Sequence, residues 1–317
     1  MAKIAILDDY QNVALKMADW SGLAAEHSIQ VFTTPFASPA AAAVAVAPHD
    51  IVCIMRERTS FDAAMLAKLP NLKLLVTTGH RNAAIDVAAA QARGVVVSGT
   101  DGSSVATAEL AMALILGLSR HLVLEAAAMR EGRWQTTVGR DLNGRTLGLI
   151  GLGRLGGQMA KYAGVFGMPV IAWSQNLTAE HAASQGATRV EKAELFKRAD
   201  VISIHTKLSP RTTGLVGRAE LALMKPDALL INTSRAPVID EAALLEALHA
   251  GRIGGAGIDV YEPEPLPANH PLRSAPRTLL TPHIGYVTDA TYRMFYAGTV
   301  AAIQAYLAGQ PVHVLPA

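Results

Sequence analysis

"TLGLIGLGRLGGQMA", residues 146–160, decides the fold. The apolar run Leu147 to Ile150 reads as a buried strand, breaks at Gly151, and gives way to a helical pattern. Gly151, Gly153 and Gly156 spell G-x-G-x-x-G between that strand and that helix, the context in which the motif signals dinucleotide binding. The first glycine permits the tight turn, the second lets backbone approach a pyrophosphate, and the third lets helix and strand pack closely. The helix N-terminus then offers free amides and a positive dipole end to the phosphates. The triphosphate loop G-x-x-x-x-G-K-[ST], the G-x-S-x-G elbow and paired His-Cys metal spacing do not occur, so no metal is expected.

Outward from this loop, short β-rich runs alternate with helical stretches. "KIAIL", "IQVFT", "IVCIM", "LKLLVTT" and "GVVVSG" are the strand candidates before residue 100. "TLGLIGLG", "MPVIAW", "DVISIH", "ALLINTS", "GAGIDV" and "TLLTPH" follow. Such alternation predicts an α/β fold with parallel sheets covered on both faces, in two lobes. Between the two sets, one long helix is expected from Ser104 towards Met129, with Ser103 and Ser104 as N-cap candidates. A last helix over "DATYRMFYAGTVAAIQAYLAG" closes at Gly309 and Pro311.

Composition narrows the function classes. Half of the 317 residues are hydrophobic, 17% are charged, and the formal net charge is +2 without a basic run, which argues against a nucleic-acid partner. The one cysteine, Cys53, lies in the apolar "IVCIM" and reads as core; it forms no internal disulfide and calls for no oxidising compartment. No stretch approaches the ~18 apolar residues of a membrane span, and the N-terminus is not a secretory signal, so a cytoplasmic soluble protein is expected.

Four strand ends in the second lobe carry chemistry. "INTSRAPVID" puts Arg235 past one strand, "GIDVYEPEP" supplies Asp259 and Glu264, "TLLTPHIGY" supplies His283, and "VISIHTKL" supplies His205. Ligands of open α/β sheets sit at the carboxyl ends of strands, so these groups converge on the rim of the glycine loop. The set fits carbonyl–alcohol interconversion. A histidine moves the proton, a carboxylate on its other ring nitrogen fixes the tautomer, and a forked arginine holds a carboxylate and polarises a carbonyl.

On "GLIGLGRLGGQMA", "INTSRAPVID", "GAGIDVYEPEPLPANHPL" and "LLTPHIG", in that order, the chain resembles the D-isomer-specific 2-hydroxyacid dehydrogenases over essentially its whole length. These include glyoxylate/hydroxypyruvate reductases and phosphoglycerate dehydrogenase. The resemblance implies two Rossmann-like or flavodoxin-like lobes, the dinucleotide lobe inserted into the other. It puts the substrate-binding domain at 1–99 and 289–317 and the NAD(P)-binding domain at 100–288, and it implies a homodimer. It implies a 2-oxo acid or D-2-hydroxy acid substrate, bound and polarised by Arg235, with His283 as proton donor and Glu264 as its partner. It assigns the cofactor to Gly151, Gly153, Arg154, Leu155, Gly156, Ser174, Gln175, Asn176, His205, Thr206, Thr212, Thr233, Ser234, Arg235, Asp259, His283 and Gly285. In "LLVTTGHRNAAID" it implies a substrate loop whose amides grip a carboxylate, at Gly79, His80 and Arg81; Arg81 stands where many relatives have a second glycine. Arg81 and Arg56 of "IMRERT" are candidate contacts for an anionic substrate group. Two alternatives stand beside this reading: a nucleotide-sensing corepressor-like binding protein, and a phosphite- or formate-type dehydrogenase. Formate enzymes typically pair the histidine with Gln, which Glu264 is not.

Cofactor choice turns on "VIAWSQNLTAE", residues 170–180. NAD-specific sites carry an acid about 20 residues past the glycine loop to hold the ribose hydroxyls. Here Ser174, Gln175 and Asn176 occupy the turn, nothing repels a 2′-phosphate, and Arg154 is a nearby cation. The expectation is use of both NAD and NADP.

Overall fold

The computed structural model describes residues 1–317, which form two compact units. The first joins Met1–Ser103 to Val287–Ala317, and the second is Ser104–Tyr286.

In the first unit β1 (Lys3–Ile6), β2 (Ser28–Val31), β3 (Ile51–Ile54), β4 (Leu74–Thr77) and β5 (Val96–Ser98) form a parallel sheet in the order β2-β1-β3-β4-β5. All four residues of β3, Ile-Val-Cys-Ile, and of β4, Leu-Leu-Val-Thr, are buried, because helices cover both faces of a parallel sheet. Cys53 is core, and burial pushes its thiol pKa up, which leaves it an inert thiol. The helix Asp289–Leu307 packs back against β4 in this unit.

The second unit is a seven-stranded parallel sheet. Its strands are β6 (Leu147–Ile150), β7 (Val170–Trp173), β8 (Thr188–Arg189), β9 (Val201–Ile204), β10 (Leu229–Asn232), β11 (Gly255–Ile258) and β12 (Thr278–Leu280), ordered β12-β11-β10-β9-β6-β7-β8. Chain order reverses between β6 and β9, the switch point outside which such sheets bind ligands.

The expected long helix after Ser104 is two helices, Val105–Ser119 and Leu122–Arg130, bent by 62°. His121 takes a left-handed φ of 51° at the break. The first helix stops there because the returning chain meets its end: the Arg140 amide donates to Ser119 O at 2.9 Å. Glu125 then accepts from the Thr136 and Thr137 hydroxyls at 2.9 and 2.6 Å, tying the same returning segment to the second helix. Ser104 precedes the first helix without a side-chain cap. No single helix is long and apolar enough to cross a membrane.

Candidate active site

Gly151 ends β6 at a φ of 96°, and a Cβ there would lie 2.8 Å from His205 O. A Cβ on Gly156 would lie 2.2 Å from Gly151 O, so the helix Arg154–Val165 sits directly on the loop. A Cβ on Gly153 would meet nothing within 4 Å. Two of the glycines are therefore demanded by the fold, whereas the middle one faces open space. That is the arrangement a backbone needs to receive a pyrophosphate.

Polar atoms without partners gather at neighbouring strand ends. His205 follows β9; its Nε2 pairs with Ser203 Oγ at 2.8 Å, and its Nδ1 is buried with no hydrogen-bond partner. Burial lowers its pKa to about 4, so the ring is neutral. Thr233, after β10, has a buried Oγ1 that is likewise unpartnered. Buried polar groups without partners are rare and await a ligand or water. Together with the open Gly153, they fit a dinucleotide.

At the end of β7 the Gly151 amide donates to Trp173 O at 2.9 Å, fixing Ser174–Asn176 beside the glycine loop. His181 Nε2 reaches Leu152 O at 3.1 Å from the other side of that turn. Gln175, Asn176 and Arg154 are exposed, and no carboxylate stands among them. Leu155 is half-buried in the first turn of the helix. Thr212 is the exception in this group: its hydroxyl donates to Lys207 O at 2.7 Å and accepts from the Ser209 amide at 2.8 Å, which makes it a fastening of its own loop.

The carboxyl ends of β10, β11 and β12 bring the remaining groups to the same edge. Asn232 shapes the turn after β10, accepting from the Ser234 amide and donating to Arg235 O, both at 2.9 Å. Ser234 Oγ donates to Thr206 O, linking this turn to the one after β9. Arg235 Nη1 donates to Ser234 O at 2.8 Å, and the side chain is half-buried.

Glu264 Oε2 lies 2.7 Å from His283 Nδ1, and its Oε1 accepts from the Tyr261 amide at 2.9 Å. Tyr261 is itself held, its hydroxyl lying 2.8 Å from Ile258 O and 2.9 Å from Thr281 O. His283 sits at a left-handed φ of 54°, with Tyr286 edge-on to its ring at 5.8 Å. Non-glycine residues at positive φ are uncommon and cluster at functional sites.

Asp259 is fully buried behind this loop. Its Oδ1 accepts from Thr281 Oγ1 at 2.6 Å and from the Ile284 amide at 2.8 Å, and its Oδ2 accepts from the Gly285 amide at 2.9 Å. Burial raises its pKa, against the pull of those donors and of His283. It anchors the histidine loop from beneath. Asn232, Tyr261 and Thr281, which do the positioning, carry no signal in sequence beyond being polar or aromatic residues at strand ends.

The first unit holds the other sequence candidates on the loops after β3 and β4. Gly79 has a φ of 85°, and its amide donates to Thr100 Oγ1 at 2.9 Å, so it is committed to the protein rather than to a carboxylate. Arg81 is not at positive φ, so the loop does not require glycine there. Arg56 is engaged: Nη1 donates to Thr78 O at 3.0 Å.

Residues 112–285 match the model of the D-isomer specific 2-hydroxyacid dehydrogenase, NAD binding domain. The chain belongs to the D-isomer specific 2-hydroxyacid dehydrogenase family. Within it, the chain is 41% identical to a glyoxylate reductase of Thermococcus litoralis over 72% of its own length and 71% of that protein. It is 39% identical to a D-3-phosphoglycerate dehydrogenase of Methanocaldococcus jannaschii over 80% of its length, and spans about half (48%) of that longer relative. A crystal structure of a putative D-3-phosphoglycerate dehydrogenase from Ralstonia solanacearum superposes with a TM-score of 0.94 at 36% identity, covering 99% of this chain and 96% of the other.

Proposed function

We propose that the protein is an NAD(P)-dependent reductase that interconverts 2-oxo acids and D-2-hydroxy acids. The observation that carries this is the 2.7 Å contact between His283 Nδ1 and Glu264 Oε2, on the same sheet edge as Arg235 and an open dinucleotide loop. Gly151–Gly156 and the helix N-terminus hold the pyrophosphate, and Ser174–Asn176 meet the adenosine ribose. His205, Thr206, Thr233 and Ser234 line the dinucleotide further along. A bound dihydronicotinamide supplies the hydride.

The protein's own groups manage charge and the proton. Arg235 holds the 2-oxo acid and draws density towards its carbonyl oxygen, a task suited to a planar, permanently charged fork. His283 gives that oxygen a proton from Nε2, across the ring from Glu264. The Glu264 carboxylate orients the imidazole and compensates the imidazolium. In the reverse direction the neutral histidine takes the hydroxyl proton.

A homodimer is part of this reading, supported by the exposed apolar side chains Leu122, Val123, Leu124, Met129 and Trp134 of the second unit. The test is direct: purified protein oxidises NADH or NADPH, followed at the nicotinamide absorbance, with glyoxylate, hydroxypyruvate, pyruvate or a longer 2-oxo acid. Oxidation of neither cofactor with any of them overturns the reductase and leaves a nucleotide-binding protein.

A further inference from the structure

Tyr261 stands just past β11, between Asp259 and Glu264, and its backbone and side chain do separate things. Its amide donates to Glu264 Oε1 at 2.9 Å, while Glu264 Oε2 meets His283 Nδ1 at 2.7 Å. Its hydroxyl lies 2.8 Å from Ile258 O, at the end of β11, and 2.9 Å from Thr281 O, just past β12.

Thr281 O has a second donor. The His283 amide reaches it at 2.9 Å and closes a three-residue turn over Pro282. His283 leaves that turn at a φ of 54°, so the direction of its ring depends on where Thr281 O is held. A carbonyl oxygen has two lone pairs, and the His283 amide and the Tyr261 hydroxyl take them. Burial first, then the negative charges of Asp259 and Glu264, push the Tyr261 pKa up, so the phenol keeps its proton and stays a donor. Asp259 steadies the same loop from beneath, through Thr281 Oγ1 and the Ile284 and Gly285 amides. Tyr261 does something further. It reaches both halves of the pair, the carboxylate directly and the imidazole through Thr281 O.

We infer that Tyr261 is the positioning residue of the His283–Glu264 pair: its amide and hydroxyl together set the separation and angle at which carboxylate and imidazole meet. For its effect on turnover the inference rests on the reductase reading above; for its effect on the pair it rests on this geometry. The 2.7 Å contact is at the short end of charge-assisted hydrogen bonds, which weaken as they lengthen. Small misplacements of groups that handle the reacting atoms are costly in rate.

The test is Tyr261→Phe, which removes the hydroxyl and keeps both the ring and the amide that holds Glu264. Two readouts are taken. The first is the His283 Nδ1 proton, seen by nitrogen-edited NMR on histidine-labelled protein and assigned by its absence in His283→Gln. The wild type is expected to show it as a protected, downfield resonance; Tyr261→Phe is expected to move it upfield or lose it to water exchange. The second readout is the division of kinetic effects. In Tyr261→Phe kcat is expected to fall about 3- to 10-fold, the net worth of one neutral hydrogen bond. KM for the 2-oxo acid and the NADH dissociation constant are expected to stay within about twofold, less than 0.5 kcal/mol. An unchanged resonance or an unchanged kcat overturns the inference and leaves the reductase standing. NADH binding weakened in step with kcat also overturns it, since that marks a general loosening of the second unit. If the wild type reduces no 2-oxo acid, the reductase reading falls and the resonance alone decides the role of Tyr261.

Discussion

His283 and Glu264 divide one task, and their replacement separates the parts. General acid–base catalysis contributes about 10²- to 10⁴-fold. His283→Ala is therefore expected to lower kcat by about that factor, while the NADH dissociation constant, measured by fluorescence, stays within a few-fold. Glu264→Gln keeps an oxygen for the Tyr261 amide but removes the charge from the 2.7 Å contact with His283. Its expected loss is about 10- to 100-fold, the worth of a charge-assisted hydrogen bond. Turnover unchanged in either variant removes that residue from the proton path. His205 makes a different prediction, about stability and pH. Its folded pKa is lowered by burial to about 4, against about 6.5 in an unfolded chain. Above pH 6.5 neither state binds the proton, and the stability is whole. As the pH falls from about 6.5 to about 4 the unfolded chain takes up a proton that the folded chain refuses. Stability then drops by up to about 1.4 kcal/mol per pH unit. Urea titrations of wild type and His205→Asn across this window isolate the effect, since every other group titrates in both. A difference between them that does not change with pH sinks the assignment.

The glycine loop shows how one short element serves folding and binding through different residues. On Gly156 a Cβ meets Gly151 O at 2.2 Å, a backbone atom that cannot swing aside. Gly156→Ala is expected to destabilise the second unit by about 1–3 kcal/mol, the usual cost of overpacking, and to be read as a fall in Tm. On Gly153 the same methyl enters open space at a φ of −85°, which alanine accepts. Gly153→Ala is expected to leave Tm unchanged and to weaken NADH binding at least about tenfold, ~1.4 kcal/mol, because the methyl stands where the pyrophosphate approaches. A Gly153→Ala protein that binds NADH as the wild type does removes the pyrophosphate from this loop. The turn after β7 belongs to the same device. With no acid at Ser174–Asn176 and with Arg154 exposed nearby, NADPH is expected to bind within about a thousandfold of NADH, roughly 4 kcal/mol at ~1.4 per decade. Titrating both against the same protein checks this.

Much of the architecture was legible because parallel strands buried on both faces announce themselves as unbroken apolar runs, as Ile51–Ile54 and Leu229–Asn232 do. The glycine loop was legible because its motif fell between such a strand and a helix. The break at His121 was not, since helix-forming residues run through it and its cause is a tertiary contact, from the Arg140 amide to Ser119 O, between residues 21 positions apart. β8, only Thr188–Arg189 and exposed, offers no period to read. At the site, His283 and Glu264 stood out by type and order, whereas Asn232, Thr281 and Thr100 act through particular side-chain hydrogen bonds that no pattern encodes. The bend at His121 matters most for the state of the molecule as a whole. It turns Leu122, Val123 and Leu124 outward at 55, 59 and 60% exposure, and the segment that follows leaves Trp134 at 74%. Large apolar side chains exposed to this extent are expensive in water, and where they gather they mark an interface. Two-fold pairing of one patch with its own copy is the commonest closed solution. Light scattering on the wild type is expected to give twice the 33.4 kDa chain mass at micromolar concentration. Leu124→Glu with Trp134→Glu is expected to give the single mass while NADH binding persists, because the glycine loop lies outside the substituted segment. A monomeric wild type, or a double variant that stays dimeric, removes residues 122–134 from the interface.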